Sequence, residues 1–413
     1  LINKNGEIDP ISVKTRTETQ TNKDYHDIAS NTKKDQPFHG LLGVPVFRLL
    51  PYWSMRKCQS IDIMHNISGN VKKLIKIWSK PSNLGGLAAG NWEKFDKLLQ
   101  QQKVTSNFHR KVRSAVEHGK YWKASESVVF LLYLTPLLES FMSREYYDHL
   151  LLLICSLRIL LSKSINESDL AKVQHDLDLF VLQYATLYGE RMCTANVHNL
   201  VHLVDNVRLQ GPLWAYTCFV YEGYNHILLQ GIHGSYMCQQ GAVRSIAMYQ
   251  MVKEREVKLE GHDKQIYNRI KDVAERGRYD RERRTKEGTV VQSSGSQAIL
   301  LMDKVSQLLN STCYRYIRIG SRVFEARGDT KSTVYNDSFA ILKDSSKVII
   351  RKITLDHQTG AVKVKTDQLG VDGSASVTRN IKIEDIKDQC IGLETSQGKW
   401  QLVTLLGTHK FLQ

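Results

Sequence analysis

The sequence predicts an α/β chain in which a short core is interrupted by a long helical block, resumes, and is followed by a small all-β domain. Three observations predict it. Helical periodicity dominates residues 91–190, with no alternating stretch of strand length. Short β-branched runs separated by Gly, Asp and Asn fill 311–413 in the pattern of a small barrel. Two segments dense in His, Asp, Glu and Asn, 58–66 and 196–225, flank the helical block.

Taken in order, residues 1–39 are polar and charged and read as a surface helix and connector. Apolar bulk begins with the first core part, 40–90. Within it, 58–66 predicts a short buried strand ending at Asp62, followed by a helix on which Ile67, Val71, Leu74, Ile75 and Trp78 keep helical spacing. A carboxylate at the carboxyl end of a strand is a common place for function in α/β sheets. Asp62 is equally placed to cap the helix that follows it. Within 91–190 the spacing predicts helices over 92–102, 111–116, 124–141, 144–162 and 167–188, punctuated by Pro136 and the segment 162–168. The core resumes over 191–250. Residues 251–310 read as a basic helix and linker, with a mixed-charge run at 275–286 that is either a solvated helix or a phosphate-contacting or nuclear-import segment. Ser293 to Ser296 reads as linker.

Lys and Arg total 57 against 42 Asp and Glu, a formal charge of +15, which favours a polyanionic partner, nucleic acid first. Seven widely spaced cysteines with no CxxC pair argue against a disulfide framework and for a reducing compartment. The apolar runs are too short or interrupted to span a bilayer, so no membrane partner is expected. P-loop, dinucleotide-binding and nucleophile-elbow motifs are absent from the sequence.

Chemistry concentrates in 196–225. His198 and His202 are one helical turn apart and point the same way, so both can reach one metal ion; on a helix rich in Leu and Val they can also be satisfied, partly buried residues. Gly211-Pro212 then breaks the chain and lets the next helix re-aim Glu222.

Six motifs in order carry a family likeness: Ile61-Asp62-Ile63-Met64-His65-Asn66, Trp122-Lys123-Ala124-Ser125-Glu126, Tyr188-Gly189-Glu190-Arg191, Asn196-Val197-His198-Asn199-Leu200-Val201-His202-Leu203, Gly211-Pro212-Leu213-Trp214-Ala215, and Phe219-Val220-Tyr221-Glu222-Gly223-Tyr224-Asn225. As an ordered set, over about residues 12–250, the chain resembles CACTA (En/Spm)-type DDE transposases and transposase-derived proteins. The resemblance implies a partial RNase H-like core interrupted by an all-α insertion. It implies Asp62 as the second acid of the triad and Glu222 as the last, with His65 and Asn225 in supporting positions. It further implies Mg²⁺ or Mn²⁺ on Asp62 and Glu222, DNA cleavage and strand transfer by two-metal phosphoryl transfer, transposon ends and target DNA as partners, a homo-oligomer, and a nuclear location.

In the similar Transib-type recombinases a histidine pair before the final Glu joins a cysteine pair on structural zinc. The resemblance implies Zn²⁺ on His198 and His202; with no CxxC in the sequence, the other ligands are expected before Leu1 or from an improvised partner such as Cys193. Asp9, Asp24 and Asp27 lie in polar surroundings that do not suit the first acid, which is expected before Leu1. The alternative is a catalytically inactive transposase-derived DNA- or chromatin-binding protein that uses the β tail for contacts. A third reading is a basic helical adaptor, with the His pair and Glu222 as ordinary core and surface residues.

Overall fold

A computed structural model describes residues 18–30, 43–80, 87, 90–108, 110–230, 232, 238–276, 289–293, 296–308, 311–319, 322–326, 336–359, 361–395, 397 and 399–405. The helices are α1 (Glu18–Ser30), α2 (Met55–Cys58), α3 (Ile63–Trp78), α4 (Asn91–Gln101), α5 (Ala115–His118), α6 (Ala124–Val129), α7 (Arg144–Leu160), α8 (Glu167–Tyr188), α9 (Ala195–His198), α10 (Leu203–Gln210), α11 (Cys218–Gln230), α12 (Cys238–Lys258) and α13 (Gly261–Arg276). The strands are β1 (Thr289–Ser293), β2 (Ser296–Leu308), β3 (Ser311–Ile319), β4 (Arg322–Glu325), β5 (Phe339–Leu342), β6 (Lys347–Asp356), β7 (Val362–Leu369), β8 (Ala375–Ile381), β9 (Ile386–Glu394) and β10 (Trp400–Thr404). The described residues form two compact units, one of those within 18–97 and 112–218, the other of those within 98–111 and 219–405. Among the described residues no helix is long and apolar enough to cross a membrane, and the seven cysteines are free thiols.

The first unit is built on helices whose apolar spacing closes one core. Ile63, Ile67, Val71, Leu74 and Trp78 form the buried face of α3. Trp78, Trp92, Phe95, Phe130 and Trp122 continue it as a chain of ring contacts with centroids 5.2–6.3 Å apart. The expected helix over 124–141 is divided: α6 passes into a π-helical turn at Phe130–Leu134 and a 3₁₀ turn at Thr135–Ser140. Pro136 is the cause, since it has no N–H for the carbonyl of Leu132. That carbonyl accepts instead from Arg158 Nη1 at 3.0 Å, so a half-buried guanidinium on α7 replaces the missing bond. Glu126, buried at the start of α6, takes a two-pronged ion pair from Arg113 (2.8 Å at each oxygen) and the N–H of Lys123 (2.8 Å).

The strand expected to end at Asp62 is not formed. Residues 59–62 are extended but make no ladder, and the described residues from 43 to 276 contain only the isolated bridge Leu87↔Met142. The reason is local. The N–H of Ile61, which a ladder would need, donates to Asn206 Oδ1 on α10 at 2.9 Å, and Gln210 binds both the Ser60 hydroxyl and the Lys57 carbonyl. Side chains of a helix do here what a neighbouring strand would do, and Asp62 becomes the cap of α3.

The second unit carries one antiparallel sheet in the order β1-β2-β3-β6-β5-β9-β10, with β4 beside β3 and β7 joining β6 to β8. It curves as a half-barrel and, among the described residues, does not close into the expected ring. It also begins at Thr289, earlier than the 311 boundary. Ser293 and Ser296, the ends of the supposed linker, pair with each other across β1 and β2. Most of the charged run 275–286 and the expected strand at 332–335 lie outside the described residues.

Leu98–Lys111, the last turn of α4 and the segment after it, groups with this sheet. Gln102 makes two bonds to Glu394 on β9, donating to its carbonyl at 3.1 Å and accepting its N–H at 2.9 Å. Asn107 donates to Gln389 at 2.6 Å and the Ser106 N–H to Asp337 at 2.8 Å, with Gln389 and Asp337 fully buried. Gln102→Ala is expected to destabilise the protein by about 2 kcal/mol, because it strands both backbone groups of Glu394. The urea midpoint of the sheet's transition, followed by Trp400 fluorescence in a chain whose other tryptophans are Phe, checks this.

Candidate functional site

Asp62 stands where two helices begin. Its Oδ1 accepts the N–H of Met64 at 3.2 Å and, across 156 positions, the N–H of Cys218 at 2.9 Å; its Oδ2 accepts the N–H of His65 at 3.1 Å and touches the His65 ring Nδ1. The carboxylate thus caps α3 and meets the first residue of α11, satisfying free N–H groups at two positive helix ends. Burial pushes its pKa up, but the Cys218 N–H, the His65 ring and the N–H groups of His65 and Met64 outweigh it and hold the carboxyl below its ordinary range. Asp62 is therefore ionised at neutral pH.

Cys218 completes a cluster. One ligand atom each of Asp62, His65 and Cys218 lie within 4.8 Å of one another, the sole such group of three or more His, Cys, Asp or Glu among the described residues. His65, on the first turn of α3, has 68% of its side chain exposed, so the cluster opens to solvent. A carboxylate bound to a ring nitrogen fixes the imidazole tautomer. This arrangement can hold a metal ion.

The histidine pair is brought together as its spacing predicts, although the helix there is broken into α9, a 3₁₀ turn at Asn199–His202, and α10. The Nε2 atoms of His198 and His202 are 3.2 Å apart. Two imidazoles on one tetrahedral zinc, at 2.0–2.1 Å each, would be about 3.3 Å apart, so the pair fits two ligand positions. Burial, then the neighbouring His202, lowers the pKa of His198 and keeps it in the neutral form a metal needs. Cys193 does not join them in any three-ligand group among the described residues. The pair is anchored to α3: Asn66 and Asn70 both donate to the carbonyl of Asn196, at 2.9 and 3.1 Å. Gly69 permits this approach, since a Cβ there would lie 2.1 Å from Asn196 Nδ2.

Glu222 and Asn225 are exposed residues of α11, Glu222 one turn beyond Cys218 and Asn225 three positions further on. The sequence alone did not single out Cys218, Asn206 or the Arg113–Glu126 pair. The nearest signal for Cys218 was its place immediately before Phe219, at the start of the Glu222 motif.

Comparisons of the chain with models of known families, with curated proteins and with solved structures find no match.

Proposed function

We propose that this is a DNA-engaging protein of the DDE-transposase type, in which Asp62 and Glu222 are two of the carboxylates serving phosphoryl transfer on DNA. The observation that carries the reading is the Asp62 carboxylate, held by the backbone N–H groups of Met64, His65 and Cys218. An ionised Asp62, a formal charge of +15 and a histidine pair spaced for zinc before Glu222 support it. On this reading Asp62 and Glu222 hold hard cations, His65 orients Asp62, and Asn225 orients substrate phosphate. DNA, as transposon ends and target, is the partner, the protein works in the nucleus as a homo-oligomer, and the helical block is an insertion within an RNase H-like core.

One observation favours the second reading, a catalytically inactive transposase-derived DNA- or chromatin-binding protein. Mg²⁺ and Mn²⁺ prefer oxygen ligands, yet the donors grouped with Asp62 among the described residues are an imidazole and a thiol. This donor set does not fit a pair of hard ions, so no catalytic step is derived through them.

Strand cleavage and strand transfer on duplex DNA, measured with Mn²⁺ and Mg²⁺, separate the two. The first reading expects metal-dependent cutting that falls by at least about 10²-fold in both Asp62→Asn and Glu222→Gln, the loss typical of removing one charge-stabilising group. The second expects no cutting by any variant and salt-sensitive DNA affinity that is unchanged by either substitution.

A further inference from the structure

We propose that Asp62, His65 and Cys218 form a binding site for one thiophilic divalent cation of the Zn²⁺ class, separate from the His198–His202 pair and sharing Asp62 and His65 with the phosphoryl-transfer reading without resting on it. The three donors come from three places that the fold brings together: the extended segment entering α3, the first turn of α3, and the first residue of α11. Their ligand atoms lie within 4.8 Å of one another. Zinc bonds of about 2.0–2.3 Å set tetrahedral ligand atoms about 3.3–3.7 Å apart, so small side-chain rotations close the set around an ion.

The chemistry of the donors selects the ion. One carboxylate oxygen, one imidazole nitrogen and one thiolate sulfur suit Zn²⁺, Co²⁺ or Cd²⁺, whereas Mg²⁺ asks for oxygen and water. The site is also prearranged. Three backbone N–H groups fix the Asp62 carboxylate, and its contact with the His65 ring already holds carboxylate and imidazole side by side. Cys218 would bind as thiolate, its proton leaving to solvent when the ion binds. Three protein ligands and a solvent-facing side at His65 leave a fourth position for water, the open pattern of reactive zinc sites.

The test uses the full chain with Co²⁺ as optical probe and Zn²⁺ as competitor. The proposal expects a sulfur-to-cobalt charge-transfer band in the near ultraviolet that Zn²⁺ abolishes and excess Mg²⁺ does not. Cys218→Ser should remove the band while the protein stays folded, because the bond to Asp62 comes from the backbone N–H of residue 218 and not from its side chain. His65→Ala should weaken Co²⁺ binding by more than the roughly 10-fold minimum seen when only an orienting partner is lost. His198→Ala should leave the band intact. In a second measurement, peptide mapping after timed alkylation, Zn²⁺ should slow modification of Cys218 by at least about tenfold. A Co²⁺ spectrum unchanged by Cys218→Ser, or Cys218 alkylation indifferent to Zn²⁺, overturns the proposal. Neither outcome depends on DNA cleavage, so it leaves the reading of Asp62 and Glu222 to its own assay.

Discussion

Glu126→Ala is expected to destabilise the helical unit by about 3–5 kcal/mol, toward the lower end because Arg113 keeps 41% of its side chain in water. Four bonds end on this one carboxylate: two from the Arg113 guanidinium at 2.8 Å, one from the Arg113 N–H at 3.2 Å, and one from the Lys123 N–H at 2.8 Å. Removing it strands the N–H of Lys123, the residue that caps α6, and a guanidinium positioned for it. It also loosens the point where Trp122 enters the aromatic core. Glu126→Gln keeps the shape and part of the bonding, and so should lose less than Ala. The pair also sets an acid response. Burial raises the Glu126 pKa, but the Arg113 and Lys123 bonds outweigh it and hold it below 4.5. A lowered folded-state pKa gives stability that is present above the unfolded value and lost as pH falls below it. Chemical denaturation of the three proteins at neutral pH, followed by helical circular dichroism, gives the comparison directly.

His149 should make the same unit lose about 3 kcal/mol as pH falls from above 6.5 to about 4. The ring is buried, stacks on Phe180 with centroids 4.2 Å apart, and lies among Tyr184 and Tyr188. Its Nε2–H donates to the Phe180 carbonyl at 2.8 Å, which leaves Nδ1 as the atom to be protonated, and Nδ1 is buried with no acceptor among the described residues. Desolvation therefore lowers the pKa from 6.5 to about 4, against the smaller opposing effect of the Phe180 bond. The sign follows from the proton count. Between those values the unfolded chain binds a proton and the folded chain does not, so acid favours unfolding. His149→Phe should flatten this part of the curve. Urea midpoints of both proteins across the window, taken as a difference, remove the contributions of other groups.

Much of the helical architecture was legible in the sequence. The expected helix over 167–188 matches α8, and 144–162 nearly matches α7, because both are long, periodic and bounded by polar caps such as Asn166. Pro136 announced a break but not its repair, since nothing in the sequence places Arg158 beside the Leu132 carbonyl. The strand at Asp62 was misread because a short apolar run before a helix looks alike whether a neighbouring strand or the side chains of Asn206 and Gln210 take its backbone bonds. The capping role of Asp62 was readable from its position; its bond to Cys218 was not, because the two are 156 positions apart. The His198–His202 pair was found by spacing alone, which a local i, i+4 relation allows. The tie of Leu98–Lys111 to the sheet is not legible in the sequence because it rests on single amides of Gln102 and Asn107, which no periodicity records.

The account turns on whether Asp62 and Glu222 serve one ion. Mn²⁺ affinity, read from the electron paramagnetic resonance of free Mn²⁺, measures this in a double-mutant cycle of Asp62→Asn, Glu222→Gln and the double variant. A shared ion predicts that each single change weakens binding and that the double change costs less than their sum, with a coupling of about 0.5–3 kcal/mol. Mn²⁺ binding indifferent to Glu222→Gln, or strictly additive losses, would contradict it.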